Sequence, residues 1–449
     1  MNSLVSETVT VNWRYIAEGG SAIVFSYVGP VHPLFTNKVL RLRKIAVKPA
    51  TIDVPAPAPR RGDLDDPVIA FQEVAIRRLV PDEFLPHVQV VKVDKAWVQL
   101  LAEAAEASRP EARRVEDRVD TDRETAVLAD NLIGGSGCAV EIKPKWGFLP
   151  CPDLFSPTTR SIKTRTCRFC MHARMKGAAE KDVPSDFCPL DLYSGNESRV
   201  RVALRALWDA WVRTEGGINN LRIFANGRVL KPASDSLLAP ATEVMPDPSL
   251  DTLRTQFCDA LLPFLLNTPV LRLLSFRQRT LDPLDIEGLS AFWGRIHSDD
   301  ESDPPLGFSE AEPTPEEWTR FIDKYLVVCD TCVGVKAEPE PNKAELRYHC
   351  LAYLLSATFK DCSLMIRMGN RAGTVSLDGG AGDPVDADQQ DPHTRAIAPS
   401  EVKLIDLDIK SIKRLAKWEK LDREIATAHA QVEAPRTCVD SLAGIRISP

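Results

Sequence analysis

The chain has 449 residues, 44% hydrophobic and 27% charged, with a formal net charge of −7, enough apolar material for a large core spread over two or three lobes. The acidic balance excludes an unselective polyanion binder coated in positive charge, so any anion site must be a local concentration of Lys and Arg. No apolar run reaches the roughly 18 residues of a membrane span, residues 1–10 lack the pattern of a signal peptide, and eleven scattered cysteines point to reduced thiols in the cytosol or nucleus.

In chain order, the first elements read as strand, tight turn, strand: Trp13–Ile16, then Glu18-Gly19-Gly20-Ser21, then Ala22–Tyr27, followed by a strand over Lys38–Arg43. A Pro-rich, weakly ordered stretch (Val54–Arg61) precedes a helix over Asp66–Leu79 and a strand over His87–Val93. Glu103–Arg118 reads as a mobile loop or surface helix. A strand runs from Cys138 into Glu141-Ile-Lys-Pro-Lys145. Helices are expected over Cys167–Lys176, Glu197–Arg213, Leu250–Phe276, Pro283–His297, Thr314–Val328 and Ala344–Phe359. For the helix at Thr314, Thr is the N-cap, Pro315 the first helical residue and Glu317 the residue that closes a capping box. Two late strands, Cys362–Met368 and Val402–Asp408, flank a Gly/Asp/Gln-rich insert (370–400) that reads as disordered, and a last helix covers Ser411–Ala428. Strands first and then a mainly helical body give a two-lobed α+β protein with a cleft between the lobes.

Three constellations carry chemistry. Gly19 and Gly20 between two strands let backbone amides approach phosphate oxygens, with Arg41 or Arg43 on the following strand to neutralise them; an ordinary hairpin turn looks the same. Between Glu141 and Lys176 stand eight Lys or Arg against two acids, a local net of +6 in an acidic chain. Such a run is commonly a solvated face, but Lys143 and Lys145 flank a proline at a strand end, where alternation sends both to one side and a bound polyanion relieves their repulsion. Asp361, Asp406 and Asp408 sit at strand ends as candidates to orient an attacking hydroxyl and to hold magnesium, or simply to cap the following turns. Lys410, Arg414 and Trp418 recur every four residues, along one face of the final helix.

Six segments, in order, resemble the motifs of one family: Glu141-Ile-Lys-Pro-Lys-Trp-Gly-Phe-Leu-Pro150, Cys167-Arg-Phe-Cys-Met-His172, Pro189-Leu-Asp-Leu-Tyr-Ser-Gly195, Leu284-Asp-Ile-Glu-Gly288, Lys360-Asp-Cys-Ser-Leu-Met-Ile366 and Ile405-Asp-Leu-Asp-Ile-Lys410. They are similar to those of the inositol-pentakisphosphate 2-kinases, and the likeness extends from about Trp13 to Asp422. It implies a distantly protein-kinase-like fold, an N-lobe over 1–140, a C-lobe over 141–430 and a tail over 431–449. ATP would lie between the lobes, and inositol 1,3,4,5,6-pentakisphosphate in a basic pocket of the larger lobe, giving the hexakisphosphate.

By the same resemblance, Gly19, Gly20 and Arg41 would face ATP phosphates, Asp130 and Glu141 the adenine-ribose end, and Arg222 the nucleotide. Lys143, Lys145, Asn220, Lys410, Arg414, Trp418 and an N-lobe arginine, Arg113 or its neighbour Arg114, would bind the inositol phosphate. Asp361 would address the acceptor hydroxyl, with Lys143 beside it as a catalytic cation, and Asp406, with Asp408, would hold Mg2+. Cys170 stands where plant members carry a lysine, so the pocket would have one phosphate contact fewer or recruit Arg168 or Arg174 instead, and Trp418 stands where they carry a tyrosine. Plant members bind a structural zinc through a C-x-x-C pair and two histidines; Cys329 and Cys332 match the pair, without histidines at the expected spacing, so free thiols compete with Zn2+ there. The expectation is a monomeric enzyme of the nucleus or cytoplasm that binds neither membrane nor nucleic acid, against the alternatives of a kinase with broader inositol phosphate specificity or a silent inositol-polyphosphate-binding scaffold.

Overall fold

The computed structural model describes residues 5–19, 22–47, 67–134, 138–152, 155–178, 185–225, 227–232, 249–297, 305–330, 342–368 and 400–443. Alternating β-branched and aromatic residues build the first sheet. Strands β1 (Trp13–Glu18), β2 (Ala22–Tyr27), β3 (Lys38–Ala46), β4 (Val88–Lys92) and β6 (Thr125–Asp130) run antiparallel in the order β1-β2-β3-β6-β4, with β5 (Asp117–Val119) beside β3. Ile23, Phe25, Leu40, Leu42 and Leu128 pack from this sheet against Trp97, Val98 and Leu101 of helix α1 (Lys95–Glu106), forming a core of their own. The helix expected from Asp66 runs Pro67–Phe71 and continues through a π-turn to Leu79.

The stretch Glu103–Arg118 is ordered, contrary to the mobile-loop reading: it finishes α1, forms a short helix (Glu111–Glu116) and becomes β5. Its anchor is Arg109. That guanidinium, 3% exposed, donates to Glu18 at 3.0 Å and to Asp117 at 2.7 Å, while Lys44 reaches the same two carboxylates at 3.1 and 2.7 Å. Charge alternation along a segment looks like a solvated surface until a buried partner from another strand is known.

The second sheet has the order β11-β10-β7-β8-β9, again antiparallel throughout, from β7 (Cys138–Ile142), β8 (Leu221–Ala225), β9 (Arg228–Leu230), β10 (Ser363–Met368) and β11 (Glu401–Ile405). Central strand β7 carries Val140 and Ile142 into a large core built with helices α2 (Arg168–Ala178), α3 (Glu197–Arg213), α4 (Leu250–Leu266), α5 (Val270–Leu281), α6 (Asp285–Ile296), α7 (Pro315–Asp330), α8 (Lys343–Asp361) and α9 (Arg414–Ala430). Helix α8 is the axis of this core. Every residue from Cys350 to Ser356 is buried, and α5 and α6 both pack against it. The fold class is therefore α+β.

One expected helix changes in detail. The single helix expected over Leu250–Phe276 is two, because Pro269 has no N–H to continue the ladder, and the chain bends there by 62°. Among the described residues no single helix is long and apolar enough to cross a membrane. At α7 the Glu317 N–H donates to Thr314 Oγ1 at 3.3 Å, and the Glu317 carboxylate, held below its ordinary range chiefly by Arg347 and also by the Thr314 backbone N–H, makes a two-pronged ion pair with Arg347 as well, at 2.7 and 2.8 Å. The Pro-rich stretch 54–61 and the expected insert lie outside the described residues, apart from Ser400, which begins the last described stretch.

A closed ionic knot ties α6 and α9 to the segment before α2. Lys163, 2% exposed, places its Nζ at 2.8 Å from Asp285, 3.0 Å from Glu287 and within hydrogen-bond reach of Asp422, which also accepts from Arg168 Nε at 2.9 Å. Burial, reinforced by Asp422, lifts the Asp285 carboxyl to about 6. For Lys163 burial opposes the charge, but Asp285 and Asp422 outweigh it and hold the ammonium above its ordinary range. The three carboxylates sit as a metal site would hold them. Lys163 already occupies the middle.

Candidate active site

The segment after β7 has to turn sharply. The strand ends at Ile142, so Lys143 and Lys145 do not share a face by strand alternation, as the sequence suggested; they converge because Lys145 takes a left-handed conformation, φ 60°. That conformation costs a non-glycine residue roughly 1–3 kcal/mol and persists only where neighbours over-determine it. Gln278 supplies the restraint. Fully buried on α5, it donates to the Lys145 carbonyl and to the Phe359 carbonyl, both at 3.0 Å, and accepts the Gly147 N–H at 2.7 Å. Tyr193 Oη donates to the same Lys145 carbonyl at 3.2 Å, and its ring leaves no room for a Cβ on Gly147. One amide thus links the Lys145 turn to the end of α8, two residues before Asp361.

Asp361 is the last residue of α8 rather than the first of a strand. Its carboxylate lies 3.4 Å from Lys145 Nζ and 3.0 Å from Lys410 Nζ. Burial works against its charge, but Lys410 and Lys145 outweigh that and hold the carboxyl below its usual range. Burial, reinforced by Lys143, in turn lowers Lys145. The group stays ionised and points to solvent, 52% of its side chain exposed.

Asp406 completes a second carboxylate position. Because β11 ends at Ile405 and Asp406 is left-handed, φ 60°, the expected pairing of Asp406 with Asp408 along a strand does not occur. Lys143 Nζ stands 3.6 Å from Asp406 Oδ2. The buried Ser363 hydroxyl lies 2.8 Å from Glu141 Oε1 and 3.2 Å from Asp406 Oδ2. A hydroxyl has one proton, so it serves one carboxylate at a time. Across the register, Arg222 faces Glu141 at 3.6 Å. Asp408 enters through its backbone, whose carbonyl accepts from Thr358 at 3.0 Å.

These groups border a cavity of about 630 Å³. Six Lys or Arg side chains line it (Lys145, Arg168, Lys176, Lys360, Lys410 and Arg414), with Asp361 as the one carboxylate among the lining residues; Arg168 and Lys360 are also held from behind by Asp422 and Asp282. Asn220, which donates to the Lys143 carbonyl at 3.3 Å, lines it too, and Trp418 and Tyr353 supply an aromatic wall. The final helix starts at Arg414, so Lys410 approaches from the preceding turn and not from the helix. A polyanion is the ligand this charge distribution suits.

Other expected site residues lie elsewhere. Arg41 and Asp130 belong to the first sheet, where Asp130 is held by Lys38 at 2.6 Å and by the His87 N–H at 2.8 Å; together they leave its carboxyl below the ordinary range despite burial. Gly19 donates its N–H to the Ala22 carbonyl at 2.9 Å, and Gly20 lies outside the described residues. Arg113 pairs with Glu116 at 3.7 Å; neither it nor Arg114 lines the cavity. Cys332 lies outside the described residues, as does the side chain of Cys329. Gln278 and Ser363 were missed: an uncharged residue inside a helical or strand pattern carries no sign that it joins distant segments.

Residues 15–424 match the family model described as inositol-pentakisphosphate 2-kinase. The chain belongs to that family. Two relatives named inositol-pentakisphosphate 2-kinase align nearly end to end: one from Cryptococcus neoformans var. neoformans serotype D at 32% identity over 94% of each chain, and one from Arabidopsis thaliana at 29% identity over 95% of this chain and 94% of its own. A third, from Danio rerio, is 30% identical over 50% of this chain and 45% of its own. In this kinase the Cys170 thiol points toward the Phe187 carbonyl, and Arg168 lines the cavity while Arg174 does not.

Proposed function

We propose that this enzyme transfers the γ-phosphoryl group of ATP to the 2-hydroxyl of inositol 1,3,4,5,6-pentakisphosphate. The observation that carries the reading is the ionised Asp361 set between Lys145 and Lys410 at the edge of a cavity lined by six cations. A substrate with five phosphates needs several Lys and Arg from separate segments, and the acceptor hydroxyl needs one carboxylate close by. Asp361 would hold and deprotonate that hydroxyl, Lys145 and Lys410 would fix the carboxylate, and Asn220, Arg414 and Trp418 would seat the ring and its phosphates.

The first sheet and the helical body would act as two lobes divided near residue 140, with the nucleotide between them. In this arrangement Gly19, Gly20 and Arg41 would approach its phosphates, Arg222 and Glu141 would contact it from the second sheet, and Asp130 would lie toward its adenine-ribose end. The N-lobe arginine, Arg113 or Arg114, would reach the substrate on closure, making phosphate count a condition for activity. Asp406 suits a hard divalent cation: an exposed carboxylate beside Glu141, the two sharing one hydroxyl proton. Mg2+ held there would neutralise charge on the ATP phosphates. Asp408 would serve only as an outer partner of that ion.

The test is anion-exchange product analysis of the purified protein with magnesium-ATP and the pentakisphosphate, beside Asp361→Asn. Hexakisphosphate from the native protein and not from the variant supports the reading. Binding of the inositol phosphate with no product from either protein defeats it.

A further inference from the structure

Four cysteines from three distant stretches meet away from the cavity. Cys167 and Cys170 flank the start of α2, Cys188 precedes the short helix Pro189–Leu192, and Cys438 comes from the C-terminal segment. Their sulfurs all lie within 4.8 Å of one another. Cys188 Sγ and Cys438 Sγ are 3.7 Å apart. That is far beyond a disulfide's roughly 2.05 Å, and it agrees with the edge of about 3.8 Å in a tetrahedron whose corners stand about 2.3 Å from a central zinc.

The surroundings suit a doubly negative tetrathiolate. Cys167, Cys188 and Cys438 are buried and Cys170 is half-buried. Arg436, two residues before Cys438 in the chain, is tied to the Asp186 carbonyl at 2.7 Å and to Asp191 at 2.8 Å, which fixes a positive charge on the segment that delivers Cys438. Leu149, Phe169 and Leu190 seal the cluster from the apolar side. The other fully buried thiols, Cys258, Cys350 and Cys362, are absorbed in the large core and belong to no such group among the described residues.

We propose that Cys167, Cys170, Cys188 and Cys438 bind one structural Zn2+. With all four positions filled by thiolate the ion has no open site for catalysis. Its work is to clasp the C-terminal segment, whose Cys438 N–H already donates to the Arg165 carbonyl at 2.7 Å, onto α2. The opposite side of α2 presents Arg168 and His172 to the cavity, so the ion fixes one wall of the polyanion site from behind. The site is distinct from the Cys329/Cys332 pair.

The experiment is zinc quantification by mass spectrometry together with zinc K-edge X-ray absorption on protein expressed with added zinc and purified reduced, without chelators. Expected are one zinc per chain and a first shell of four sulfurs at about 2.3 Å, retained in Cys258→Ser and in the Cys329→Ser/Cys332→Ser double variant. The Cys188→Ser/Cys438→Ser double variant is expected to lose the ion and to melt at lower temperature. Native protein without zinc, a first shell containing nitrogen or oxygen, or zinc that disappears with Cys329 and Cys332 would each overturn the proposal. The absorption spectrum is taken on native protein, so a variant that fails to fold does not blunt the test.

Discussion

The ionic knot at Lys163 and the charged group at Asp361 are made from the same residue types and arranged in opposite ways. At Lys163 the cation is enclosed: side-chain exposure is 3% for the lysine and 5–6% for Asp422 and Asp285, and each charge has its partner. At Asp361 the ammonium groups of Lys145 and Lys410 are 16% and 13% exposed while the carboxylate is 52% exposed, so two cations share one solvent-facing carboxylate. The first cluster is finished by the fold. The second is finished only by something that arrives. Charge satisfaction, rather than charge density, separates scaffold from site.

The largest effect that would break this contrast is catalytic. Asp361→Asn should reduce hexakisphosphate formation by about 10²–10⁴-fold while the thermal midpoint stays near that of the native protein; a large loss of stability would mean that Asp361 belongs to the scaffold. Lys163→Met should do the reverse. Leaving Asp285 and Asp422 without their buried partner is expected to cost about 3–5 kcal/mol in denaturant unfolding, and a variant of native stability would contradict the closed-knot description.

A pH series sharpens the distinction further. Buried His349, lowered to about 4 by desolvation, refuses a proton that the unfolded chain accepts, so stability should rise with pH between about 4 and 6.5 and be fully present above that window. Each tenfold loss of proton affinity on folding is worth about 1.36 kcal/mol, which brings the contribution of this one imidazole to roughly 3 kcal/mol. Thermal unfolding of His349→Phe across the same range should show a flatter profile; an unchanged slope would assign the effect to other groups. Next in size, Gln278→Leu should free the Lys145 turn from the end of α8, lowering kcat more than affinity for the inositol phosphate; equal losses in both would make Gln278 a packing residue only. Smallest in stability is Arg222→Ala. Half-exposed, Arg222 should contribute under about 1 kcal/mol to folding, while the KM for ATP rises, and an unchanged KM would remove it from the proposed nucleotide contacts.

Much of the architecture is legible in the sequence because its signals are local. The pairing of β1 with β2, the helix over Glu197–Arg213 and the Thr314 cap each depend on residues close in sequence, and each element forms where expected. The site is legible as a set of charges but not as a geometry. Lys143 and Lys145 do converge, and Asp361 and Asp406 do stand beside them, yet strand alternation is not the reason: left-handed residues at the strand ends set the angles. No single-sequence pattern marks a Lys or Asp that will be forced to positive φ, because the force comes from Gln278, over 130 residues away from Lys145. Likewise Arg109 looks like one more charge in a polar run, and only β1 and β5 together reveal Glu18 and Asp117 as its partners.

The placement of β7 has a consequence for how the molecule is born. Its neighbour β10 begins more than 220 residues later, with Met365 registered on Glu141, and β11 follows only on the far side of β10. During synthesis the central strand therefore emerges with one long edge unmatched until the segment carrying Asp361 and Asp406 has left the ribosome. Pairings so distant in sequence are slow to close and leave an adhesive strand edge exposed while they wait. Chaperone engagement should accordingly concentrate on nascent chains longer than about 140 and shorter than about 405 residues, a range set by where β7 ends and β11 is complete.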